Sequence, residues 1–264
     1  MAASAPLRLP TRFLEKVWGA TDLAPWYLNQ GKKIGEVWFE ADVPLLVKFV
    51  FTGERLSVQV HPDDAFAAAH EKSLGKTEMW YILRADPGAQ LAIGLRETIG
   101  AERLRESALS GEIERLLNWI NVEAGDAFLI PAGTVHAIGA GLAICEIQQH
   151  SDVTYRLYDY GRPRELHLDK AVQVASTQAN RIKSVPLPID CPYFHTELAR
   201  ITSPIQYVPA SDRFHILVFV AGRGSIADQP FQEGEAWLIP AGAAKFTIHP
   251  DDPAKFLRTW VPNR

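Results

Sequence analysis

The 264-residue sequence carries 27 Lys and Arg against 31 Asp and Glu, a formal net charge of -4, and its basic residues are scattered, which excludes the clustered positive surface of a nucleic-acid binder. No apolar run approaches the roughly 20 residues that span a bilayer, and the opening MAASAPLRLP lacks the apolar core of a signal peptide, so a cytoplasmic protein with no membrane partner is expected. Cys145 and Cys191, the two cysteines, are too few for a disulfide scaffold or a thiolate metal site and are expected to stay reduced.

From Pro44 onward, short runs rich in Val, Ile, Leu, Phe and Trp alternate with Gly, Pro and Asp at strand-and-turn spacing. These runs are LLVKFVF at 45–51, LSVQV at 56–60, MWYIL at 79–83, LAIGL at 91–95, AFLI at 127–130 and LAICEI at 142–147. Many short strands predict a mostly β sandwich or barrel. The segment starting at Arg96, RETIGAERLRESALSGEIERLLNWI, repeats apolar residues at three and four and predicts an inserted helical hairpin confined to about 96–118. RELHLDKAVQVAS, from Arg164, predicts a helix joining two halves, and Pro186, Pro188 and Pro192 mark a connector into a second β region.

The halves echo one another: EAGDAFLIPAGTVHAIG, from Glu123, aligns with QEGEAWLIPAGAAKFTI, from Gln232, around a shared LIPAG. The expected organisation is a catalytic domain over 1–163, a helical linker over 164–190 and a degenerate β domain over 191–264. The first copy carries His136 and the second Lys245 near the corresponding place, so a metal site is expected in the first unit alone. Phe219, Trp237 and Phe246 are expected in the core of the second.

Gln59 and His61, in LSVQVHPDD, lie two apart, and a strand sends such residues to one face. Lys76 and Glu78, in GKTEMWYIL, repeat that spacing at the next strand, and His136 follows a Pro-Ala-Gly turn that can carry it to the same cavity. Two imidazoles, a carboxylate and an amide suit zinc, and equally manganese, iron, cobalt or nickel. An isolated histidine in a β protein is usually a hydrogen-bonded structural residue, and His70, His150, His167, His195, His215 and His249 are read that way.

LLVKFVFTGERLSVQVHPDD, GKTEMWYIL, IPAGTVHAIGAG and EIQQHSDVTYRLYDYGR together resemble the type I mannose-6-phosphate isomerases, a family of zinc-dependent cupins, in a short bacterial-type form. The resemblance runs from about Trp18 to Lys170 and is loose over the final 70 or so residues. It implies a jelly-roll barrel holding one Zn2+ on Gln59, His61, Glu78 and His136, in a pocket lined by Trp18, Glu36, Lys48 and Lys76. It also places Glu146 and Arg156 at acidic and basic active-site positions, and a guanidinium at Arg156 suits a sugar phosphate because it binds phosphate bidentately. Larger members carry a longer helical insertion, which leaves the pocket wall, and with it selectivity, open for this chain.

The implied reaction interconverts mannose 6-phosphate and fructose 6-phosphate through a cis-enediol, with a small phosphosugar as the partner molecule. Arg156, Glu146, Lys76 and Lys48 are the expected catalytic residues: Arg156 clamps the phosphate, Glu146 is the candidate for proton transfer, and the lysines bind hydroxyls or shuttle protons. Other readings suit the same donor set: a cupin dioxygenase or a related sugar-phosphate isomerase of different specificity, and a metal-binding sugar or regulatory cupin without turnover. The sequence is silent on oligomeric state.

Overall fold

The computed structural model describes residues 5–28 and 31–263. The first unit is a pair of facing antiparallel sheets, as the cupin resemblance implies. One has six strands in the order Thr11–Ala20, Ile34–Phe39, Leu45–Thr52, Leu142–Gln149, Glu78–Ala85 and Ala127–Ile130. The facing sheet has five, in the order Tyr155–Tyr158, Val58–Val60, His136–Ile138, Gln90–Leu95 and Leu117–Asn121. The second unit repeats the plan with sheets of six and four strands.

Leu45–Thr52 shows why the apolar runs lack a clean polar alternation. Every residue in it is buried. Val47, Phe49 and Phe51 turn outward into a core shared with Ile216, Val218, Ala236 and Leu257 of the second unit, while Lys48 and Val50 turn into the first unit's interior. Strands that are sandwiched on both faces read as continuous hydrophobic runs. The two units are therefore packed sheet against sheet over one apolar core that contains Cys145, and both cysteines are free thiols.

The sheets do not follow the boundaries drawn from the sequence. Leu7–Arg8 pairs with the Glu235–Ile239 strand, so residues near the amino end complete the second unit's sheet, and Ile189–Asp190 closes its other edge. Within 164–190 the helix is limited to Leu168–Val174. The insertion holds two helices, Ala101–Ser110 and Ile113–Leu116, broken at Gly111 where φ is 79°. Helical spacing extends through Trp119 and Ile120, yet Leu117–Asn121 is a strand, because its bulky side chains find a partner edge in Gln90–Leu95.

Strands Thr11–Ala20 and Ile34–Phe39 precede Pro44, and a helix at Asp64–Glu71 lies between two of the expected strands. Asp63 caps that helix by accepting a hydrogen bond from the Phe66 N–H at 2.8 Å, and Asp64 sits favourably in its first turn. Phe219, Trp237 and Phe246 lie in the second unit's core, as expected. Among the described residues, no helix is long and apolar enough to cross a membrane.

Candidate metal centre and phosphosugar pocket

The cavity of the first unit is built by strand alternation. Gln59 projects from Val58–Val60 and His61 follows it; Glu78 opens its strand with Lys76 two residues ahead; His136 opens a third strand. Gly133, at φ 83°, supplies the left-handed residue that the Pro-Ala-Gly turn needs to deliver His136. His136 pairs across the sheet with Gln59, and Glu146 lies between Lys48 and Trp80 on neighbouring strands.

The four residues expected to face a metal do converge. His61 Nε2 lies 3.5 Å from Glu78 Oε2, His136 Nε2 lies 3.5 Å from Glu78 Oε1, and Gln59 Nε2 lies 3.3 Å from His136 Nε2. The donor atoms of His61, Glu78 and His136 all fall within 4.8 Å of one another. Each imidazole is oriented from behind: His61 Nδ1 meets the Val153 carbonyl and His136 Nδ1 the Thr134 carbonyl, both at 2.9 Å. Those carbonyls require N–H at Nδ1, which leaves the Nε2 lone pairs facing each other and the carboxylate.

Burial first, and then the Lys76 charge for His61, hold both imidazoles neutral: His61 is pushed well below its ordinary value and His136 down to about 4. Glu78 Oε2 is buried without a hydrogen-bond partner, although Lys76 Nζ lies 3.2 Å away. Neutral imidazoles, an under-satisfied carboxylate and second-layer carbonyls fit a divalent metal, and His61, Glu78 and His136 form a group able to hold one. Gln59 would join them through Oε1 after its amide turns over, since Oε1 now accepts from Ser57 at 3.2 Å.

Next to this group runs an alternating chain of buried charges. Lys48 Nζ lies 3.1 Å from Glu36 Oε1 and 3.2 Å from Glu146 Oε1, and Lys76 Nζ is 3.7 Å from that same Glu146 oxygen. Burial works against the Lys48 charge, but Glu146 and Glu36 outweigh it and raise the pKa, so Lys48 is a firm cation. Burial likewise opposes ionisation of Glu36, but Lys48 and Lys16 overcome it and bring the carboxyl down to about 2. Glu146 goes the other way: burial and the Glu78 charge raise it to about 7 against the pull of both lysines.

These residues line a cavity of about 250 Å³ that also holds Trp18 and Arg156. Gln59 and Glu78 line it too, whereas His61 and His136 are not among its lining residues and meet it through Glu78. Arg156 is the least enclosed of the expected site residues: its Nη1 donates to the Glu165 carbonyl at 2.6 Å, while its Nε is buried and unpartnered. Burial and the neighbouring Arg164 push its pKa down.

The same cavity contains residues the sequence did not single out: Lys16, Ser57, Asp152, Thr154 and Arg164. Three of them sit two residues from an expected one, Lys16 from Trp18, Ser57 from Gln59 and Thr154 from Arg156, so strand periodicity carried the signal. Lys16 reaches the cavity because the ladder between Thr11–Ala20 and Ile34–Phe39 breaks there, with both Glu15 and Ala20 facing Ile34. Gly35 leaves the room: a Cβ on it would stand 2.5 Å from Lys16 Cγ and 2.7 Å from the Trp18 ring.

Comparison with known proteins places this chain in a family. A mannose-6-phosphate isomerase of Bacillus subtilis is 33% identical over an alignment of 306 positions that covers 92% of this chain and 95% of the relative. The chain belongs to the mannose-6-phosphate isomerase family. A second mannose-6-phosphate isomerase, from Streptococcus mutans, is 48% identical over 137 residues, covering 50% of this chain and less than half, 43%, of that protein. The crystal structure of the mannose 6-phosphate isomerase from Bacillus subtilis superposes with a TM-score of 0.86 at 28% identity, covering 97% of this chain and 99% of that one. A phosphomannose isomerase variant from Salmonella typhimurium shares the fold at 14% identity, with a TM-score of 0.78 over 98% of this chain and 100% of that one. No family profile matches the chain.

Proposed function

We propose that the chain is a metal-dependent aldose–ketose isomerase that interconverts mannose 6-phosphate and fructose 6-phosphate. The observation that carries this reading is a His61–Glu78–His136 donor group whose Glu78 shares a cavity with Glu146, Lys48 and Lys76. Full-length similarity to relatives named for that activity supports it. Zinc is the metal we assign, held by the two histidines, Glu78 and Gln59, because nitrogen and oxygen donors without thiolates suit it.

When bound, the metal supplies Lewis acidity that stabilises negative charge on the sugar's carbonyl and hydroxyl oxygens. The protein's side chains do the rest. Glu146, poised at about 7, takes the C2 proton of open-chain mannose 6-phosphate and returns it to C1 of the cis-enediol, ending as it began. The hydroxyl proton that O2 gives up is matched by one that O1 takes. Lys48, kept charged by its carboxylate neighbours, donates to the oxygens on which charge develops, and Lys76 adds a second donor beside it. Arg156 binds the phosphate, with Trp18 and Glu36 forming the wall against which the sugar is oriented.

Among the cavity-lining residues, five cations (Lys16, Lys48, Lys76, Arg156, Arg164) face four carboxylates (Glu36, Glu78, Glu146, Asp152). A divalent metal would increase that positive excess, which suits a dianionic substrate rather than a neutral sugar. A coupled assay following mannose 6-phosphate into fructose 6-phosphate tests the reading. Turnover on mannose 6-phosphate far above that on free mannose is expected, and equal or absent turnover on both would refute it.

A further inference from the structure

The segment after the Tyr155–Tyr158 strand folds back over it as a strap. The His167 N–H donates to the Arg156 carbonyl at 2.8 Å, and the Arg156 N–H donates to His167 Nδ1 at 3.1 Å. At the bend sits Asp159, which is only 2% exposed and is gripped by two guanidinium groups. Arg164 donates Nε to Asp159 Oδ2 and Nη2 to Oδ1, each at 2.6 Å. Arg162 donates Nε to Oδ1 at 3.1 Å and closes the strap against the Arg55 carbonyl at 2.7 Å.

The two arginines share a partner but differ in where they lie. Arg164 lines the cavity beside Arg156, whereas Arg162 is not among its lining residues. A fork-on-fork pair with a buried carboxylate fixes the plane of a guanidinium and leaves its remaining N–H groups to a further acceptor. The two line one cavity, and repulsion from Arg164 contributes to lowering the Arg156 pKa. An anion that bridges them relieves it.

We propose that Arg164 is the second arm of the phosphate clamp, acting with Arg156 on the substrate's phosphate, and that Asp159 is the positioning residue that aims it. The inference rests on the phosphosugar reading of the site. Its chemistry is the recognition of a dianionic phosphate monoester by two converging guanidinium groups, one held by a carboxylate at its back and the other by the Glu165 carbonyl.

The matched pair of arginines supplies the test. In Arg164→Gln the KM for mannose 6-phosphate and the inhibition constant of inorganic phosphate should both rise about tenfold or more, with kcat within about threefold, as expected for loss of a charge-assisted bidentate contact. Arg162→Gln, which removes the other bond to Asp159, should leave both constants within about twofold even if it melts earlier. Asp159→Asn should reproduce the KM-against-kcat split of Arg164→Gln, and Arg164→Lys should recover part of the lost phosphate affinity. Unchanged constants in Arg164→Gln, or equal shifts in the two arginine variants, would overturn the proposal. The underlying reading fails differently: a wild-type protein without turnover removes the isomerase. In that case, calorimetric titration of the same four variants with inorganic phosphate still decides whether Arg164 binds it.

Discussion

The two units of this chain share a two-sheet plan and a LIPAG turn, yet their interiors are opposites. Around the first turn the inward positions carry His136, Glu78, Lys76, Lys48 and Glu146, all buried, with Gln59 half-buried beside them. Around the second, the strand Phe246–Pro250 sends Phe246 and Ile248 inward, onto Phe219, Phe231, Trp237 and Phe256. Phe219 and Phe231 stack with ring centroids 3.8 Å apart. Lys245 lies exposed just before that strand. One architecture thus serves as a reaction vessel when its lumen holds alternating charges and as a buttress when its lumen is filled with aromatics. The cost of burying charge is offset in the first unit by pairing its buried lysines with carboxylates.

The comparison breaks most completely at the ligands. His136→Ala should reduce bound metal from about one equivalent to near none and lower turnover more than about a hundredfold, read by elemental analysis and the coupled assay on the same sample. Glu146→Gln should keep the metal while turnover falls roughly 10²- to 10⁴-fold; a near-normal rate would remove Glu146 from proton transfer.

In the second unit the expected loss is stability. Phe219→Ala, at a fully buried site, should cost about 3–5 kcal/mol in denaturant unfolding while the metal content of the folded fraction stays unchanged. Phe49→Ala tests the shared core: it should cost a similar ~3–5 kcal/mol and, unlike Phe219→Ala, raise KM, because Lys48 lies on the same strand. Identical kinetics in the two variants would mean that the shared core does not shape the pocket.

The smallest effect concerns His215, whose Nδ1 shares a hydrogen bond with the Tyr207 hydroxyl. Burial, with Arg258 and Arg213 nearby, lowers its pKa to about 4. In the unfolded chain the imidazole takes its proton near 6.5, so it is the unfolded state that gains as pH falls. This contribution to stability is complete above about pH 6.5 and is lost on the way down to about 4, and His215→Phe should flatten that part of the melting-temperature profile.

Much of the site was legible in the sequence, and for a local reason. Gln59 with His61, and Lys76 with Glu78, declare a shared face through spacing of two, and the Pro-Ala-Gly turn announces His136. Lys16 shares the spacing of two with Trp18, but its strand reaches the cavity through a break in the ladder at Ile34 that no local pattern announces. The spacing from Arg164 predicts a helix starting there, but the helix begins at Leu168 and the four residues before it belong to the strap. The pairing of Leu7 with Leu238 joins opposite ends of the chain, and no local pattern encodes it. The helix at Asp64–Glu71 was readable from the Asp63–Asp64 cap but is short enough to pass for a loop between strands.

One metal per chain, held by the first unit, is proposed to support turnover. Zinc titrated into chelated protein, with mannose 6-phosphate isomerisation followed at each addition, tests this most directly. Activity should be near zero without metal, rise in proportion to added zinc and level off at about one equivalent per chain. Turnover that survives chelation, or that keeps rising to two equivalents, would contradict the account.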